Sequence, residues 1–142
     1  MGKTIKRLSV IGVAATAIFS TAMVTNANAA TYNAACRTTG ANGSLTFTNP
    51  TALYTPINGW VNDNAADGHH VAIRFISNNT STTKYWPWHH EYGGHGTSLV
   101  ITTSATDSSG GLNYLGLQVA TMEGSRVVDI CTDWVGSGSP PS

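Results

Sequence analysis

The residues best suited to chemistry or recognition fall in one stretch, Lys84-Tyr85-Trp86-Pro87-Trp88-His89-His90-Glu91-Tyr92-Gly93-Gly94-His95. Its twelve positions hold two tryptophans, two tyrosines and three histidines. Trp and Tyr supply large, rigid, flat surface at low entropic cost, so Tyr85, Trp86, Trp88 and Tyr92 suit contact with a ligand. His89, His90 and His95 add polar groups beside a glycine-rich loop, read here as flexible. Sugar rings present apolar C–H faces that stack on such rings. In an extended segment Trp86 and Trp88 share one face, and Tyr85 and Pro87 the other. Two tryptophans on one face serve a core as well as a platform, and the sequence leaves both open.

Metal chemistry finds less support. His69, His70, His89, His90, Glu91 and His95 are enough donors for zinc. The zinc-protease helix, however, needs His-Glu-x-x-His so that both imidazoles face one ion. Here His90-Glu91 is followed by Tyr92-Gly93-Gly94-His95, one residue too long and broken by glycines. Asp63-Asn64-Ala65-Ala66-Asp67-Gly68 looks like the start of a calcium loop, but Ala65 and Arg74 stand where carboxylates are required. The segment reads as a turn, with Asp and Asn bonding to nearby backbone and Gly permitting positive φ. No Gly-x-Ser-x-Gly occurs, and no spacing joins Asp63, Glu91 and Asp133 into an acid pair. No catalytic residue, cofactor or metal is assigned.

The start of the chain is a secretory signal in its layout. Lys3, Lys6 and Arg7 precede an uncharged apolar run from Leu8 to Val24, and Ala27-Asn28-Ala29 is a small-x-small site. Cleavage after Ala29 gives a signal at 1–29, a domain at 30–135 and a Gly/Ser/Pro tail at 136–142, which reads as loose. Beyond residue 29 four cations face seven anions, a charge of −3 with histidines neutral. Nucleic acid and anionic lipid both require clustered Lys and Arg, so neither is an expected partner. No second apolar run suggests a membrane span. The chain is expected to be secreted, extracellular and monomeric.

The elements that must position the aromatic stretch are strands. Segments at 44–48, 57–62, 70–77, 97–103, 112–121 and 127–135 alternate apolar and polar residues, with Trp60 available to the core. Ile76 breaks the alternation of the third. Residues 84–90 read as extended, although Pro87 removes a ladder donor. About seven strands with no helical period predict an all-β antiparallel sandwich, Greek key or jelly-roll-like. Cys36 and Cys131 lie near the two ends of the domain. They are read as one internal bridge, free thiols or an intermolecular link being the alternatives.

Val61 to Val71, Trp88 to Ser98 and Cys131-Thr132-Asp133-Trp134 together resemble a group of small secreted proteins of actinobacteria such as streptomycetes. The resemblance covers most of the chain beyond the signal. It implies export and β-architecture and carries over no catalytic residue. The reading favoured by the sequence is a non-catalytic secreted sandwich. Its aromatic and histidine-rich loop would bind an extracellular glycan or cell-envelope ligand. The alternative is a secreted protein-binding factor, such as an enzyme inhibitor or an antagonist of competing cells. A hydrolase or a zinc protein ranks third.

Overall fold

The computed structural model describes residues 31–48, 54–79, 82–106 and 112–136. The signal expected at 1–29, the turn expected at 107–111 and the tail beyond Gly136 lie outside the described residues. The described chain is all-β, with nine strands. These are β1 (Thr31–Arg37), β2 (Ala41–Thr48), β3 (Tyr54–Asp63), β4 (His70–Asn78), β5 (Thr83–Tyr85), β6 (His89–Glu91), β7 (Ser98–Thr106), β8 (Tyr114–Glu123) and β9 (Arg126–Gly136). One sheet has the order β1-β2-β3-β7. The second runs β5-β4-β8-β9, with β6 also paired to β4, and every pairing is antiparallel.

The core follows from side-chain parity. On β3, Thr55, Ile57, Gly59, Val61 and Asp63 point inward, while Tyr54, Pro56, Asn58, Trp60 and Asn62 alternate outward. Trp60 is therefore a surface residue, 38% exposed, and not the core residue the sequence suggested. Ile57 and Val61 already fix the inward parity, and Trp60 falls on the other one. The inward site Gly59 has no room for a side chain, since a Cβ there would sit 2.2 Å from Leu45 Cδ2. Leu45, Phe47, Ile57, Val61 and Ile101 meet Val71, Ile73, Phe75, Leu115, Leu117 and Val119 in one apolar cluster between the sheets.

Strand β4 is buried on both faces, which explains Ile76. Val71, Ile73 and Phe75 face the main core, whereas Ala72, Ala120 and Met122 form a second, smaller cluster on the outer side. Ile76 is fully buried in the outward register row, beside Gly116 of β8 and Trp134 of β9.

The two sheets are joined at their edges. Cys36 on β1 is bonded to Cys131 on β9, with Cα atoms 5.9 Å apart. Asp133 on β9 accepts a hydrogen bond from Ala35 N at 2.9 Å, and Asp129 accepts from Thr39 N at 3.0 Å. Asp133 thus occupies a backbone donor on the β1 edge, which would otherwise invite pairing with another chain, and Asp129 one in the turn that follows. The donated Thr39 amide holds the Asp129 carboxyl below its ordinary value. Strand β1 itself was not apparent in the sequence: Tyr32 packs on the core, but the inward residues that follow it, Ala34 and Cys36, are too small to extend a hydrophobic period.

Candidate functional site

The aromatic stretch is folded along one flank of β4. Strand β5 pairs with Ile76–Asn78 and β6 with Val71–Ile73, so residues 86–88 cross the gap between them. Trp86 N reaches Phe75 O at 3.3 Å, and Pro87 follows where no donor is available. Proline thus divides one expected extended segment into two short strands. The chain does not keep its period across this step, and the two tryptophans separate. Trp86 turns inward, its ring 4.7 Å from Phe75 and its Nε1 donating to Ser77 Oγ at 3.1 Å. Trp88 turns outward and packs on Ala72, Ala120 and Met122.

A row of rings and one guanidinium results on the outer face of β4. Arg74 lies 4.6 Å from the centroid of Tyr85 and 4.3 Å from that of Trp88, so the cation sits between two aromatic partners. Arg74 Nε and Nη2 both donate to Gln118 Oε1, at 2.8 and 2.6 Å. Gln118 Nε2 in turn donates to Thr132 Oγ1 at 3.0 Å. This chain across β4, β8 and β9 fixes the guanidinium in place. Partial burial lowers the Arg74 pKa against an opposing pull from Tyr85, and a guanidinium remains charged through such a shift.

At the other end of the row, His70 Nε2 and His90 Nδ1 are 3.0 Å apart and share one hydrogen. Tyr92 stacks on both, at centroid distances of 4.4 Å from His70 and 5.5 Å from His90. Tyr85 and Tyr92, the ends of the row, are 55% and 71% exposed. Six residues separate His70 from Ile76, the partner of Tyr85. At a rise of ~3.4 Å per residue the row is roughly 20 Å long.

The remaining expected residues take other positions. His89 is opposite Ile73, on the inward side of the sheet. His95 lies in the loop and, with His69, His70 and Tyr92, lines an open cleft of about 490 Å3 beside the end of the row. That loop is tied down rather than free. Gly96 N donates to Asp63 O at 2.8 Å, Asp63 N to Thr97 O at 3.0 Å, and Gly93 N to Glu91 Oε1 at 2.6 Å. Gly94 and Gly96 take φ of 82° and 84°, a region that favours glycine.

The Asp63–Gly68 segment is the turn its composition implied. Asp63 Oδ1 accepts from Ala65 N at 3.1 Å and Asp67 Oδ1 from His69 N at 2.9 Å. The His69 amide bond lowers the Asp67 pKa, helped by the His69 ring, whose Nδ1 lies 3.2 Å from Asp67 Oδ2. Among the described residues no group of three or more His, Cys, Asp or Glu is placed to hold a metal ion. No helix among them is long and apolar enough to cross a membrane.

The histidine end of the row responds to acid. Burial, then the neighbouring His90, lowers the His70 pKa below the ordinary 6.5, against the opposing pull of buried Asp63. Above 6.5 both folded and unfolded His70 are neutral, and the contribution to stability is complete. As pH falls through the window just below 6.5, the unfolded chain binds the proton first and stability declines. The unfolding midpoint of the wild type is expected to drop more between about pH 7.5 and pH 5 than that of His70→Asn. Equal slopes for the two proteins contradict this account.

Sequence reasoning missed Arg74 and Gln118. Arg74 shares β4 parity with His70, and that signal was available; Gln118 depends on the β4–β8 register, which was not. No known family model, curated protein or solved structure matches the chain.

Proposed function

We propose that this chain is an exported, non-catalytic module that binds an extracellular glycan along the outer face of β4. The observation that carries the reading is the row from Tyr92 through His70, His90, Trp88 and Arg74 to Tyr85. An extended sugar chain offers alternating C–H faces and hydroxyls, and the row offers rings together with fixed donors. The exposed tyrosines supply stacking surface at each end, and Arg74, held by Gln118, supplies directed N–H groups. Because ring and guanidinium are already in place, little ordering cost remains for binding. The Cys36–Cys131 bond supports an oxidising compartment, as the signal layout at 1–29 does.

Sedimentation with cellulose, chitin and peptidoglycan tests the proposal. The wild type is expected in the pellet of at least one polymer. Tyr85→Ala with Tyr92→Ala is expected to weaken that retention by about tenfold or more, the equivalent of 1.4 kcal/mol. Retention unchanged by both substitutions contradicts the assignment of this face.

One observation favours the alternative, a protein-binding factor. Val127, Val128 and Ile130 are exposed on β9, an edge strand of the five-stranded sheet. Inhibition of secreted hydrolases that is lost in Val128→Lys would support that reading.

A further inference from the structure

The opposite face of the molecule carries a different surface. The outward residues of β1, β2, β3 and β7 fall into rows set by the strand register. The central row is Ala35, Ser44, Trp60 and Val100. Trp60 and Val100 face each other across the β3–β7 pair, and Val100 is 74% exposed. They form a short apolar ridge running across the strands.

Polar rows flank this ridge on both sides. On one side are Arg37, Asn42, Asn62 and Ser98; on the other are Asn33, Thr46, Asn58 and Thr102. Same-face rows in a sheet stand about 7 Å apart, two residues along each strand. The asparagine carbonyls are already engaged. Ser44 Oγ donates to Asn33 Oδ1 at 2.7 Å and Thr102 Oγ1 to Asn58 Oδ1 at 3.1 Å, while Asn64 donates to Asn42 and Ser98 to Asn62. An amide carries N–H2 donors as well as its carbonyl, so these four asparagines can also donate. A shallow cleft of about 320 Å3, lined by Ala35, Arg37, Asn42, Ser44 and Trp60, lies at one end of the ridge.

Arg37 is the sole charged residue in the register rows of this face among the described residues. With a single cation, anionic polymers and charged protein surfaces find little complement here. A flat, uncharged, hydroxyl-rich chain does, with its ring faces over Trp60 and Val100 and its equatorial hydroxyls reaching the amides on either side.

We infer that the outer face of the four-stranded sheet is a second binding site, for a neutral polysaccharide, centred on Trp60. It shares a ligand class with the site along β4 but rests on different residues. A chain with two such faces on opposite sides of one sandwich bridges polymer strands.

The experiment uses the full exported chain in the Tyr85→Ala/Tyr92→Ala background, titrated with cellulose, chitin and soluble mixed-linkage β-glucan. Residual binding is expected in that background. Adding Trp60→Ala should weaken it by about tenfold, and Trp60→Tyr should restore most of it. In the wild-type background, Trp60→Ala should abolish turbidity with β-glucan while leaving sedimentation with the polymer bound by the β4 face. Absence of residual binding, or residual binding indifferent to Trp60→Ala, overturns the inference. A double tyrosine variant that binds like the wild type, but loses binding with Trp60→Ala, refutes the β4 site and leaves this one standing. Thermal unfolding of each variant confirms that the fold persists.

Discussion

Replacing Cys36 and Cys131 together by serine is expected to remove about 4–5 kcal/mol of stability, the loop-closure value for a bridge spanning near 100 residues. The bond spans 95 positions and joins the edge strand of one sheet to the edge strand of the other. Without it, β1 and the turn after it are held to β9 by packing and by the Asp133 and Asp129 hydrogen bonds. Those bonds lie near solvent, where screening leaves them a small part of the total. Asp129, whose carboxyl the Thr39 amide holds below its ordinary value, accepts most strongly when ionised, so the cysteine-free protein should also be the more acid-sensitive one. Denaturant unfolding at neutral pH checks the main effect. A loss below about 1 kcal/mol, outside the usual range for such a bridge, contradicts the account.

Trp88→Ala should be the most damaging single change at the site. The ring seals the outer cluster of Ala72, Ala120 and Met122 and forms one wall against Arg74. Truncating a core Trp costs ~3–5 kcal/mol, and a half-buried one loses about half of that. The substitution also frees the Arg74 guanidinium on one side, so glycan binding should fall together with stability. Trp88→Phe keeps the apolar seal and should recover most of the stability but less of the binding. Thermal melts and sedimentation on the same three proteins separate the two effects. Unchanged stability in Trp88→Ala would show that the ring is a free platform rather than part of the outer cluster.

Much of the architecture was legible wherever strands carry large alternating side chains. Val71, Ile73 and Phe75 announced β4, and Leu115, Leu117 and Val119 announced β8, because each set lies on one pleated face. Strand β1 escaped for the opposite reason: Ala34 is buried and Cys36 partly so, but both carry little hydrophobic signal. The buried Ile76 looked like an irregularity because a single strand does not reveal that Gly116 and Trp134 of the neighbouring strands lie beside it on the outer face. The site was legible in composition and not in geometry. Tyr85, Trp88, His90 and Tyr92 do share one face, but Trp86 and His89 turn to the other, because the chain passes Pro87 without keeping its period. Arg74 and Gln118 are distant in sequence, and only the β4–β8 register brings them together.

The most direct measurement is side-chain NMR of the labelled protein, titrated with a soluble oligosaccharide of whichever polymer retains it. Tyr85, Arg74 Nε, Trp88 Nε1 and Tyr92 should shift together and saturate at one concentration, while Trp86 Nε1, bonded to Ser77, stays in place. Saturable binding that leaves those four side chains unmoved would contradict the claim that the outer face of β4 is the ligand surface.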